Sequence, residues 1–161
     1  MSEVADYKIV RNSTLGADLT EENARILAEK MGVRHLRDGD ILVKEGASDQ
    51  TLFILAKGRV DFFCKDENGA EQTASMMREG ECAGTRAFVE QKPRRGTLRA
   101  VGEATVYTLT PADFETVLDN HPRIAFMVMR ALFRETHANL SRKNRESEEM
   151  AKYIHKTQGR F

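Results

Sequence analysis

The chain has 161 residues, with 25 Lys and Arg balanced by 25 Asp and Glu, two Cys, three Pro and no Trp. That length fits one compact domain, and the zero formal charge excludes a surface built throughout for nucleic acid or anionic lipid, which needs an excess of Lys and Arg. Cys64 and Cys82 lie eighteen residues apart without a CxxC pair and read as free thiols rather than metal ligands or a redox pair. With no leader-like N-terminus and no run of eighteen apolar residues, a soluble protein of the reducing cytoplasm, without membrane association, is expected.

Residues 1–17 carry no clear period and are expected to form a loosely tied arm. Asp18-Leu19-Thr20-Glu21-Glu22 then marks a helix start, with Thr20 as cap and two Glu where the helix dipole favours negative charge; Gly32 is expected to end this helix. From Val33 to Leu109 the apolar period changes from 3.6 to 2. Strands are predicted over 33–36, 41–43, 51–56, 59–64, 73–77, 97–101 and 105–108, separated by turns at Gly39, Gly46, Gly58, Gly69 and Gly80. Asn68-Gly69 is read as a type I′ hairpin turn. Short strands in such number, joined by tight turns, predict a barrel or jelly roll rather than a parallel α/β sheet.

Pro111 opens a short helix running to Leu118, and Pro122 a second that continues to about Ile154 without internal Pro or Gly. The first half of the long helix is apolar almost all round and the second half is polar. The domain expectation is an arm at 1–17, a helix–barrel–hinge unit at 18–119, the long helix at 120–156 and a frayed tail at 157–161. Met129, Leu132, Thr136 and Leu140 recur at steps of three and four, a pattern suited to a seam against a twin helix in a homodimer.

Chemistry concentrates in Gly84-Thr85-Arg86-Ala87 and Pro93-Arg94-Arg95-Gly96. Between residues 86 and 99, Arg86, Lys92, Arg94, Arg95 and Arg99 stand against the single acid Glu90, a local excess of positive charge inside a neutral chain. A glycine before a helical turn lets backbone amides approach an anion closely, and an Arg ten residues on can add a bidentate contact to a phosphate. On residue types alone, a solvated basic loop explains the same stretch. His35, His121, His137 and His155 show neither metal-ligand spacing nor pairing with a Ser or Cys nucleophile, so no catalytic residue, metal or cofactor is expected and the protein reads as a non-enzyme.

The sequence Leu36-Arg37-Asp38-Gly39-Asp40-Ile41-Leu42, Glu45-Gly46, Leu52-Phe53-Ile54-Leu55 with Gly58-Arg59-Val60, the Gly84 turn, Pro93-Arg94 and the following long helix together resemble the cyclic nucleotide-binding domain. The resemblance implies a mainly β fold with flanking helices: a double-stranded β-helix, or jelly roll, with an N-terminal helix and a long C-terminal one. It further implies a small anionic ligand, cAMP or cGMP, with Arg94 pairing its phosphate, amides around Gly84 and Ala87 cradling it, Gly96 where the family carries a small residue, and Asn139 on the base side. Two departures stand out. Thr85 replaces the Glu that accepts the ribose hydroxyl, and Arg95 replaces a small or hydroxyl residue, where it either adds an anion contact or occupies the phosphate position itself.

A non-enzymatic regulatory module that signals ligand through the C-terminal helix is therefore expected. The alternative is a degenerate, ligand-free domain that acts in dimerisation or protein interaction. A sequence ending at Phe161 leaves no room for a helix-turn-helix, so direct DNA binding is not expected, and any output passes through an unknown effector or the protein's own dimer.

Overall fold

The two-residue alternation resolves into eight strands, in a computed structural model that describes residues 3–158. They are β1 (Gly32–Leu36), β2 (Ile41–Val43), β3 (Leu52–Lys57), β4 (Val60–Lys65), β5 (Glu71–Met77), β6 (Cys82–Ala83), β7 (Thr97–Ala100) and β8 (Ala104–Leu109). Two antiparallel four-stranded sheets result, in the orders β1-β8-β3-β6 and β2-β7-β4-β5, and the expected jelly roll with flanking helices is the observed architecture.

β3 shows how the layers are built. Its first five residues are all buried, because Leu52, Ile54 and Ala56 face a helical core while Phe53 and Leu55 face the space between the sheets. One strand thus feeds two cores.

The helical layer comprises α1 (Tyr7–Asn12), a 3-10 turn at Thr14–Gly16, α2 (Glu21–Lys30), α4 (Pro111–Asn120) and α5 (Pro122–Gln158), with the short α3 (Thr85–Glu90) lying between strands. The expected loose N-terminal arm is corrected by α1. The Asp6 carboxylate caps it by accepting from Lys8 N at 2.9 Å, and Val10 is fully buried against the helical core. Six residues are too few to display a helical period, which is why the sequence reads as featureless there.

Thr20 caps α2, its hydroxyl accepting from Asn23 N at 3.2 Å. Gly32, however, does not close that helix. Met31 is already extended, and Gly32 begins β1, where a Cβ would lie 2.5 Å from Thr108 Oγ1. The Asn68-Gly69 turn also differs from expectation, since only Gly69 has positive φ. The Asp66 carboxylate accepts from Asn68 N and Ala70 N, both at 2.9 Å, and this Asx arrangement needs a single left-handed residue.

α4 has Pro111 in its first turn and a Thr110 cap, and it runs two residues past the expected Leu118. At about 1.5 Å per residue, the 37 residues of α5 span about 55 Å. Ile124, Ala125, Val128 and Leu132 bury one face of α5 in the helical core. Asp18 pins the helix from the side, accepting from Arg130 Nε at 3.1 Å and Arg134 Nη2 at 3.2 Å. The helix extends beyond the expected end at Ile154, and residues 159–161 of the expected frayed tail lie outside the described residues.

Candidate functional site

β6 pairs with β3, aligning Ala83 with Phe53 and Cys82 with Ile54. The chain then turns at Gly84, whose φ of +86° only glycine adopts without strain, and enters α3, whose first turn no side chain caps. Gln91, at φ +59°, closes that helix. The return segment is fixed by backbone: Arg94 N donates to Ala47 O and Gly46 N to Arg94 O, both at 2.9 Å.

These bonds aim the Arg94 side chain inward, where the residue is only 7% exposed. Nη2 donates to Thr51 O at 2.6 Å, the Asp49 carboxylate stands 3.7 Å away, and the guanidinium lies 5.2 Å from the Phe53 ring centroid. Asp49 is itself held by Thr51, whose N and Oγ1 donate to it at 3.0 and 2.7 Å. Nε and Nη1 of Arg94 are buried with no partner among the described residues. Burial pushes the Arg94 pKa down and Asp49 offsets this in part; an arginine nevertheless keeps its charge. Two unpaired donors on a buried cation represent a desolvation cost that an anion in the adjoining cavity relieves.

That cavity measures about 520 Å³, and Gly84, Thr85, Ala87, Arg94, Arg95 and Gly96 all line it. The sequence-predicted cassette therefore comes together in one place. A Cβ on Gly84 would collide with Arg94 Nη1 and lie 2.8 Å from Thr51 O, so this glycine admits the arginine as well as the turn. Arg95 is exposed at the cavity wall, whereas Arg94 alone takes the buried position. The rest of the basic cluster is partly neutralised. Arg86 pairs with Glu90 at 3.3 Å, Lys92 with Glu90 at 3.6 Å and Arg99 with Glu71 at 3.0 Å.

α5 forms the opposite wall. Asn139 lines the cavity, its Oδ1 accepting from Arg142 Nη2, and Glu135 lines it one turn nearer the barrel. Glu135 Oε2 is buried with no hydrogen-bond partner among the described residues, and burial with the nearby Glu81 carboxylate pushes its pKa up. An acid whose folded pKa lies above its unfolded value costs stability at neutral pH and ceases to do so as pH falls below the ordinary Glu range, near about 4.3. Glu135→Gln should therefore raise the melting temperature at pH 7 and give no gain at pH 4, as read by calorimetric melts.

Gly96 stands where the resemblance implies a small residue, and the space around it is tight. A Cβ there would lie 2.6 Å from the Phe62 ring and collide with Phe63 O. Gly96→Ala should accordingly cost about 1–3 kcal/mol of stability, checked by denaturant unfolding.

The expected dimer seam also needs correction at one position. Leu132 is 1% exposed and belongs to the chain's own core, whereas Met129, Thr136 and Leu140 are exposed and border a groove between α3 and α5. Phe133, at 73% exposed, takes the outward place instead, with Phe126 beside it.

The sequence did not mark Asp49, Thr51, Glu81 or Glu135 as site residues; only the three-dimensional fold assembles them around the cassette. Phe88 of α3 packs edge-on against Phe114 of α4, with ring centroids 5.2 Å apart, and so joins the cassette to the hinge helix. Among the described residues no cluster of His, Cys, Asp and Glu is arranged to hold a metal ion, and no helix is long and apolar enough to cross a membrane.

The family model described as the cyclic nucleotide-binding domain matches residues 33–121, more than half of the chain. The chain belongs to the cyclic nucleotide-binding domain family. This domain is 30% identical over 81 residues to a cAMP-dependent protein kinase regulatory subunit of Blastocladiella emersonii, an alignment covering 50% of the chain and 20% of the relative. It thus spans about a fifth of that relative's length. Among solved structures it is similar to the N-terminal domain of a transcriptional regulator from Streptomyces coelicolor A3(2), with a TM-score of 0.74, 25% identity and coverage of 81% and 94% of the two chains. A cyclic nucleotide-binding domain from Methylobacillus flagellatus KT gives a TM-score of 0.79 at 18% identity, covering 88% and 84%, and shares the fold.

Proposed function

We propose that this domain binds a 3′,5′-cyclic nucleotide, cAMP or cGMP, and reports its presence through α4 and α5 without catalysing a reaction. The observation that carries this reading is the Arg94 guanidinium, buried with Nε and Nη1 unpartnered beside a left-handed Gly84 in a cavity of about 520 Å³. A cyclic phosphate fits that need, since it accepts from Nε and Nη1 together and from the amides that begin α3. Thr85, Ala87 and Gly96 complete the cradle, Arg95 adds positive potential at its wall, and Asn139 faces the base. Phosphate drawn towards α3 shifts Phe88 against Phe114 and so biases the seating of α4 and α5. Occupancy changes that seating only in proportion to the ligand's preference for one position over the other.

The outward stripe Phe126, Met129, Phe133, Thr136 and Leu140, at steps of three and four, supports self-association through α5. A second copy or an effector protein would then read the helix position. If no ligand binds, this stripe supports the alternative reading, a domain that acts through dimerisation or protein interaction alone.

Thermal melts with cAMP and cGMP test the ligand reading. At a hundred times its dissociation constant a ligand adds about 2.7 kcal/mol, which for a domain of this size raises the melting temperature by roughly 5–10 °C. A melt unmoved by either nucleotide contradicts it.

A further inference from the structure

Among the described residues, three buried side-chain polar atoms lack partners: Nε and Nη1 of Arg94 and Oε2 of Glu135. The residues that carry them, Arg94 on the barrel and Glu135 on α5, line the same cavity. The cation is accounted for by phosphate. The carboxyl remains, and a hydrogen-bond donor on the ligand would satisfy it.

Its position identifies that donor. Glu135 lines the cavity together with Cys82, at the start of the cassette, and Glu81, whose carboxylate helps to push the Glu135 pKa up, whereas Asn139 and Arg142 line it one and two turns farther along the helix. In a 3′,5′-cyclic nucleotide the 3′ and 5′ oxygens are esterified, so the 2′-hydroxyl is the sugar's only O–H and sits on the carbon next to the one bearing the phosphate ester. The base-edge donors lie farther out, towards Asn139. An acceptor beside the phosphate cradle therefore meets the 2′-hydroxyl first. Thr85, on the barrel side, has a shorter side chain than glutamate and carries no charge.

We infer that Glu135 is a specificity-determining residue that accepts the ribose 2′-hydroxyl of the bound nucleotide, supplying from α5 the acidic acceptor that the cassette lacks at Thr85. The inference rests on the cyclic-nucleotide reading of the pocket and deepens it. Its consequence is mechanical: the ligand then bridges Arg94 on the barrel and Glu135 on the long helix, so its sugar holds α5 directly. Burial of the carboxyl raises its pKa, and a hydrogen bond donated by the ribose hydroxyl offsets the lost solvation.

Calorimetric titration of wild type, Glu135→Ala and Glu135→Ala/Thr85→Glu with cAMP and with 2′-deoxy-cAMP tests this. Wild type should bind cAMP about 10- to 100-fold more tightly than the deoxy ligand, the range for a hydrogen bond to a charged group. Glu135→Ala should bind both within about threefold of each other, and adding Thr85→Glu should restore part of the preference. A residue that merely shapes the helix would weaken both ligands alike and leave their ratio unchanged. Equal binding of the two ligands by wild type, or an undiminished preference in Glu135→Ala, overturns the role of Glu135 while leaving the pocket assignment standing. Binding of neither ligand by wild type overturns both.

Discussion

Arg94→Met should weaken cyclic nucleotide binding by about a hundredfold or more while leaving the domain folded and at least as stable as wild type. The guanidinium offers Nε and Nη1 to a phosphate, and two hydrogen bonds to charged groups contribute about 1.5–3 kcal/mol each. Their loss falls on binding, because no hydrogen bond within the described residues uses these two donors. For stability the balance runs the other way. Methionine fills much of the same slot against Phe53 and Gly84 without a buried charge, and Asp49, whose side chain is 46% exposed, remains hydrated when its cation goes. Calorimetric titration with cAMP together with a thermal melt separates the two effects. A variant that keeps wild-type affinity removes Arg94 from the site, and one that fails to fold makes the arginine a structural group.

The second large effect lies on α5, at adjacent residues with opposite expected outcomes. Leu132→Glu places a carboxylate in the helical core at a position 1% exposed, with cost of about 4 kcal/mol or more, a large part of the roughly 5–15 kcal/mol that holds a domain together. Unfolded or insoluble protein is the expected result, read by circular dichroism. Phe133→Glu changes a side chain 73% exposed, should leave the melting temperature within a few degrees of wild type, and should lower the mass measured by light scattering if α5 pairs with a second copy. An unchanged mass for Phe133→Glu, whether monomeric or dimeric, removes this stripe from self-association.

That pair of residues also shows where the sequence stops being informative. The first half of α5 carries two apolar stripes about one residue apart, one through Ile124, Val128 and Leu132 and one through Phe126, Met129 and Phe133. Periodicity alone cannot tell which faces the barrel, and the choice of Leu132 as an outward seam residue placed it one position out of phase. The jelly roll was legible because two-residue alternation and glycine turns recur over some seventy residues. α1 and β6 were not, being six and two residues long and held by tertiary contacts such as Val10 in the helical core and Ala83 beside Phe53. The Asn68-Gly69 turn was located correctly and typed wrongly, because the decisive group is the Asp66 carboxylate and not the dipeptide.

The cassette was legible for a different reason. Gly84 to Gly96 is one continuous stretch, so residues that meet in space are also near in sequence. Its supports are distant: Thr51, which receives the Arg94 hydrogen bond, is 43 residues away, and Glu135 reaches the cavity from a helix that begins at Pro122. Such partners carry no local signature, and their unsatisfied atoms become visible only when the walls are brought together.

Pairing of the Arg94 Nε and Nη1 donors with a cyclic phosphate is the contact on which the proposed function rests. It is tested most directly by nuclear magnetic resonance of 15N-labelled domain titrated with cAMP, following Arg94 Nε–H and the amides of Thr85, Arg86 and Ala87, with the amides of the Asn68-Gly69 turn as internal reference. The expected result is a saturable shift of the Arg94 and α3 signals at one common dissociation constant, while the turn stays still. Saturation that leaves Arg94 Nε–H unmoved, or no saturable shift up to millimolar cAMP and cGMP, would contradict it.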